Sequence, residues 1–261
     1  MGGPALAQTG SGDCTATSPE CAQVGELNIS LSVGLGGRTN PIQGNADIPL
    51  VALPQISYYG KRFFLENLEV GVTLHESERS TFNLIASPGY DRVFFVRNDL
   101  QNVIVSLSGG GLMPGTTNRR VPIARRHTTY LAGPEWIVRH GRVTGYLNAL
   151  YEITGEHEGV EVRTAVSAPL IESKASLVAS AGVTWKSSAL VNYYYGAEGL
   201  YEPGSALNPF VKFSFNRPLS ERVAFKAFAH YEWLGQSVAD SPIVSDAGSI
   251  TAFVGFDLKI R

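Results

Sequence analysis

The residues with chemistry to offer are few and scattered. Five histidines are present, His75, His127, His140, His157 and His230. No two have the H-x-x-x-H or H-E-x-x-H spacing that places two imidazoles on one helical face around zinc. The G-x-S-x-G turn that would expose a nucleophilic serine is absent. Gly109-Gly110-Gly111 lacks the Lys-Ser/Thr that would complete a phosphate-binding loop, so it reads as a strand end or a close backbone approach. His127 and His140 flank one segment, with Glu135 and Arg139 between them. A catalytic site there would need a serine or carboxylate from a neighbouring element; otherwise these residues form a polar rim. No cofactor is expected.

The elements that must position such residues are strands. From about Glu26 onward apolar and polar residues alternate with a period of two, which puts them on opposite faces of an extended chain. Val143, Gly145, Leu147, Ala149, Tyr151 and Ile153 oppose Arg142, Thr144, Tyr146, Asn148, Leu150 and Glu152. Val223, Phe225, Ala227, Ala229, Tyr231 and Trp233 oppose Arg222, Ala224, Lys226, Phe228, His230 and Glu232. The same pattern runs through 29–35, 68–74, 103–107, 130–139, 160–167, 177–185, 211–216 and 250–261. Turn-forming stretches such as "GEHEG", "EPGSALNP" and "NRPLSER" separate the runs, and no three-turn helix stands out. Runs of about 9 to 12 residues match strands that cross a bilayer at a tilt.

Composition narrows the class. Charged residues make up 17% of the chain, with a net charge of −2, against about 25% in ordinary soluble domains. The near-neutral balance gives no electrostatic reason to expect nucleic acid as a partner. No window approaches the roughly 18 apolar residues of a membrane-spanning helix. One face of each ribbon carries aliphatic residues, with Trp136, Trp185 and Trp233 near the ends; the other carries Ser, Thr, Gly, Asn and charges. In lipid the ribbons must close, because an open edge strands backbone amides. The expected fold is all-β: a closed antiparallel transmembrane β-barrel of about 10 to 12 strands, spanning residues 26–261.

This fold gives the charges a place. Glu135, Arg139, Glu152, Glu161, Arg163, Lys212, Lys226, Glu232 and Asp257 alternate toward the lumen, where a buried charge needs a partner or water. They form either an internal salt-bridge network or a selectivity lining. Arg119, Arg120, Arg125 and Arg126 lie in the loop "MPGTTNRRVPIARRHTT". They either meet lipopolysaccharide phosphates, if that loop is extracellular, or stay solvated. Residues 1–25 read as a signal-peptide remnant, with Ala5-Leu6-Ala7 as its small-residue end, followed by a polar segment. Cys14 and Cys21 there would close a short disulfide loop in an oxidising compartment.

Several blocks resemble one family. "NPIQGNADIPLVALPQISYYGKRFFLENLEVGVTL", "ASAGVTWKSSALVNYYYG", "NPFVKFSFNRPLSERVAFKAFAHYEWLGQSVADSPIV" and "GFDLKI" are similar, in the same order, to the MipA/OmpV family of outer-membrane barrels. "NYYYG" and "DSPIV" are the most specific pieces. The resemblance implies a Gram-negative outer-membrane protein without enzymatic activity, in contact with outer-membrane lipid and lipopolysaccharide. It implies a scaffold that brings together a lytic transglycosylase and a penicillin-binding protein. A small solute channel or a surface adhesin are the alternatives.

Overall fold

The computed structural model describes residues 24–95 and 126–260. It contains twelve strands: β1 (Leu27–Arg38), β2 (Ile48–Tyr59), β3 (Phe63–Glu66), β4 (Glu69–Glu76), β5 (Ser80–Pro88), β6 (Tyr130–His140), β7 (Val143–Glu152), β8 (Val160–Glu172), β9 (Ser176–Lys186), β10 (Ala206–Pro218), β11 (Val223–Trp233) and β12 (Gly248–Lys259). Each pairs antiparallel with the next, and β12 returns to β1 to close the barrel. Twelve lies within the range expected from the alternation. The run at 103–107, Cys14 and Cys21 lie outside the described residues.

The alternation sets which side meets which solvent. Leu35, Leu84, Trp136, Val166, Leu207 and Phe256 point outward and are exposed, Leu35 at 74%. Ser32, Asn83, Glu135, Glu161 and Asn208 point inward and are buried. That arrangement inverts a water-soluble protein and suits a wall bathed in acyl chains around a hydrogen-bonded interior.

The two ends differ. At one end tight turns join the strands, such as Gly141-Arg142 between β6 and β7, with Gly141 at φ 59°. Long connections join the strands at the other end: between β5 and β6, between β9 and β10, and between β11 and β12. We call these the short-turn and long-loop ends.

Two details of the wall follow from particular residues. Phe253 is 3% exposed, and its ring stacks on Phe228 at 5.7 Å. It lies against the backbone at Gly34, Gly36 and Gly255, where a Cβ would overlap the facing strand; only glycine permits that approach. The junction of β2 with β3 is brief, Ser57–Tyr59 against Phe64–Glu66. The sequence alone predicts a single alternating ribbon over 68–74, preceded by an aromatic-rich lead-in. That ribbon is β4, and the lead-in contains a separate short strand, β3; the two form a hairpin because Asn67 adopts φ 56°, a left-handed conformation that asparagine tolerates. Its amide donates to Ile56 O at 2.7 Å, and its side chain accepts from Ile56 N at 3.2 Å, which adds one rung beyond the ladder. Alternate residues of a strand aim their backbone groups the same way, so Pro54 turns its missing N–H toward this same edge.

Candidate functional site

The lumen is organised by one polar row. Asn83, Glu135, Asn148, Arg163, Thr184 and Asn208 are successive register partners across β5, β6, β7, β8, β9 and β10. Their inward aim follows from the period of two, and only some of their polar atoms are paired: Asn83 Oδ1, Asn148 Oδ1 and Arg163 Nη2 are buried without a hydrogen-bond partner. Asn83 Nδ2 donates to Glu135 Oε1 at 2.9 Å. Arg163 pairs with Glu161 on its own strand and lies 5.4 Å over the Tyr90 ring. Asn208 Nδ2 donates to Glu232 Oε1 at 3.0 Å, while its Oδ1 accepts from Gly235 N at 2.9 Å.

Toward the long-loop end a folded cap fills the mouth. It comprises a 3-10 turn (Tyr90–Phe94), helix α1 (Ser188–Tyr195) and a single helical turn, α2 (Gln236–Ala239). Helix α1 starts where Ser187 accepts from Leu190 N, the usual N-terminal capping bond. Its Leu190, Val191, Tyr194 and Tyr195 recur at one-turn spacing and are all buried. They pack with Ile85, Leu131 and Leu150 of the wall, Ile42 and Phe94 of the loops, and Val238 of α2.

A buried ion pair fastens this cap. Lys186 Nζ donates to Asp91 Oδ1 at 2.7 Å, and Tyr195 Oη donates to the same oxygen at 2.6 Å. Burial alone would raise the Asp91 carboxyl. The Lys186 ammonium, the Tyr195 hydroxyl and the nearby Arg38 outweigh it and hold the group below its ordinary range. The Arg38 guanidinium sits 4.5 Å over the Phe94 ring. Phe94 O accepts from Asn40 Nδ2 and Asn45 Nδ2 at 3.1 and 2.8 Å. Ser241 Oγ donates to Tyr195 O at 2.6 Å, so the "NYYYG" and "DSPIV" blocks meet inside the cap.

The remaining charges named from sequence fall into distinct settings. Glu152 is 1% exposed at the rim. Its carboxylate accepts from Thr154 Oγ1 and from the backbone N–H groups of Thr154, Glu156, His157 and Glu158, shaping the β7–β8 loop. Arg139 Nη1 donates to Thr81 Oγ1 at 3.0 Å. Asp257 accepts from Ser32 Oγ at 2.6 Å and Ser30 Oγ at 3.1 Å. Lys212 and Lys226 face inward on β10 and β11 and are half-buried. Of the four loop arginines, Arg119, Arg120 and Arg125 lie outside the described residues. Arg126 rests its guanidinium 5.1 Å over the Tyr193 ring, and burial lowers its proton affinity.

The histidines do not converge. His127 stands at the long-loop rim, where Nδ1 lies 2.9 Å from Glu156 Oε1. Tyr193 Oη donates to the other oxygen of that carboxylate at 3.1 Å. His140 ends β6 at the opposite rim. His157 Nδ1 accepts from Gly159 N at 3.0 Å, with its ring 5.1 Å from Tyr193. Burial is the main reason its proton affinity is low.

Sequence reasoning missed Lys186, Asp91 and Tyr195. Lys186 was legible: it is the next inward position after Thr184. Asp91 and Tyr195 lie outside any alternating run and gave no periodic signal.

Known proteins are similar to this chain. The family model described as MltA-interacting protein MipA matches residues 31–259. A protein of Escherichia coli (strain K12) named "Putative outer membrane protein YiaT" is 25% identical over 246 residues, covering 91% of this chain and 93% of that one. Its counterpart in Escherichia coli O157:H7 matches with the same identity and coverage. Among solved structures, a porin refined at 1.8 Å aligns with TM-score 0.39 and 7% identity, over 90% of this chain and 100% of that one. The chain is an outer-membrane β-barrel and belongs to the MltA-interacting protein MipA family.

Proposed function

We propose that this barrel is a non-enzymatic scaffold. It anchors a lytic transglycosylase, and through it a penicillin-binding protein, at the inner face of the outer membrane. The observation that carries the reading is the cap: the described long-loop mouth is filled by a buried hydrophobic cluster pinned by Lys186 and Asp91. A lumen furnished in this way favours work done at the surfaces over transport through the middle. The family description names an interaction with MltA. The strands β1 and β12, which flank the described termini, both begin or end at the short-turn end. In bacterial outer-membrane barrels the short turns are periplasmic, which directs that end toward the peptidoglycan enzymes. Tethering two enzymes there raises their mutual effective concentration without any new chemistry.

The test is capture of a lytic transglycosylase by the detergent-folded protein, compared with an unrelated twelve-strand barrel. Enrichment that is lost when the short turns are exchanged supports the scaffold. Equal recovery on both barrels overturns it. Stepwise conductance of the unmodified protein in planar bilayers would favour a channel instead.

A further inference from the structure

The short-turn half of the lumen is unlike the capped half. Its inward residues stand inside a closed wall, yet Tyr146, Ser167, Ser180, Ser214, Asn216 and Lys226 are only half-buried. Half-buried groups facing a closed interior mean that the space beside them is not closely packed. Asn83, Glu135 and Asn208 are buried by contrast, while in the short-turn half Ser32 and Phe253 are among the inward side chains that are buried.

The chemistry of that space is specific. Lys226 forms no ion pair among the described residues. The acid facing it, Asp257, lies two residues along β12 from its register partner Gly255 and already accepts from two serine hydroxyls. Asn216 is the register partner of Lys226 on β10, and Ser176 continues the row on β9. Asn216 Oδ1 has no hydrogen-bond partner, and an acceptor in this position normally finds a donor. One layer further in, Phe228 and Phe253 stack to form an apolar wall, with Ser214 beside Phe228 in register. Beyond them stand Lys212 and its partner His230, with Glu66 also facing Lys212.

We propose that this half-lumen binds a small hydroxylated carboxylate. Its carboxylate would take a charge-assisted hydrogen bond from Lys226. Its hydroxyl would donate to the Asn216 amide and exchange hydrogen bonds with Ser176 and Ser214. Its carbon face would lie on Phe228. An ammonium in this setting selects for charge, and the orphan acceptor selects for an adjacent O–H. The inference stands apart from the scaffold reading, since a barrel can hold a solute whether or not an enzyme docks on it.

Titration calorimetry of the full chain in detergent tests it, with glycerate as probe, glycerol as its uncharged counterpart and inorganic phosphate as an anion without a carbon face. Saturable binding of glycerate, none of glycerol and weaker binding of phosphate are expected. Lys226→Gln should weaken glycerate by about tenfold, the worth of one hydrogen bond to a charged group. Lys226→Arg should keep most of the affinity, and Asn216→Leu should lower it severalfold. Retention of the compact, heat-sensitive gel mobility of the folded barrel identifies variants fit to be measured. If Lys226→Gln fails to fold, the Lys226→Arg and Asn216→Leu pair decides. Absence of saturable glycerate binding, equal binding of glycerol or of phosphate, or unchanged affinity in Lys226→Gln or Asn216→Leu overturns the proposal.

Discussion

Lys186 Nζ lies 2.7 Å from Asp91 Oδ1, and both side chains are 6% exposed. The pair ties the last inward position of β9 to the 3-10 turn of the cap, far apart in sequence. Removing one partner of a buried pair strands the other charge, at a cost of about 3–5 kcal/mol. Lys186→Met is expected to destabilise the barrel by that amount in denaturant unfolding from micelles. The double variant Lys186→Met/Asp91→Asn should recover part of the loss, because the stranded charge is gone. Equal loss in the single and double variants would show that packing, not the pair, holds the cap.

The same carboxyl makes the cap acid-sensitive. The folded state holds Asp91 below its ordinary value, so the folded protein binds fewer protons there than the unfolded chain. The stabilisation is present above the ordinary aspartate pKa of about 4 and is lost as pH falls through the lower folded value. Amide exchange at Asp91 to Phe94, corrected for intrinsic rates, should accelerate below about pH 4 in the native protein. In Asp91→Asn that acceleration should be absent.

His157 gives a second window with its own sign. Burial lowers its proton affinity, and its Nδ1 must stay unprotonated to accept from Gly159 N. The unfolded chain therefore gains a proton first as pH drops. The stability contributed by the β7–β8 loop should be complete above about pH 6.5 and decline below it. NMR titration of the imidazole should return a midpoint below the ordinary histidine value of about 6.5, and a midpoint above it would refute the assignment.

The outward face sets a fourth expectation. Leu147 and Val166 are exposed at 43% and 55%, and both lie well inside their strands. Arginine at either position should cost about 2–4 kcal/mol in lipid, as it does near the midplane of such barrels. An arginine at Ser220, in the β10–β11 turn, should cost almost nothing. Equal effects at the two kinds of site would contradict a lipid-facing wall.

Phe253 supplies a fifth. Truncating a large buried aromatic costs about 3–5 kcal/mol, so Phe253→Ala should lower unfolding stability by that amount. Gly255→Val should do at least as much harm, since a side chain there meets the backbone of β1 and the Phe253 ring. Tolerance of Gly255→Val would mean that the two strands are not as close as described.

The barrel was legible in the residues because lipid outside and hydrogen bonds inside impose the same period of two on every strand. Val143 to Ile153 and Val223 to Trp233 show it without interruption. The inward position of Glu135 followed from counting by twos, but its bond to Asn83 did not, since register between strands 52 residues apart is set by tertiary closure. The cap was illegible for a different reason. Helix α1 has only two turns, too few for a periodic signature, and its tyrosines read equally well as the end of a strand. Asp91 carries no pattern at all; only its buried partner reveals it. The β4 ribbon was legible from its alternation after Asn67, but the four-residue β3 before it was too short to show a period, and the reversal rests on a single Asn67 in an unusual conformation.

The short ladder between β2 and β3 has a mechanical consequence. A cylinder under tension parts where its stitching is thinnest, and here the thinnest stitch carries three residue pairs and an asparagine rung, on an edge where Pro54 has no amide to offer. Elsewhere the neighbours hold each other along most of their length. Unzipping should start at this line.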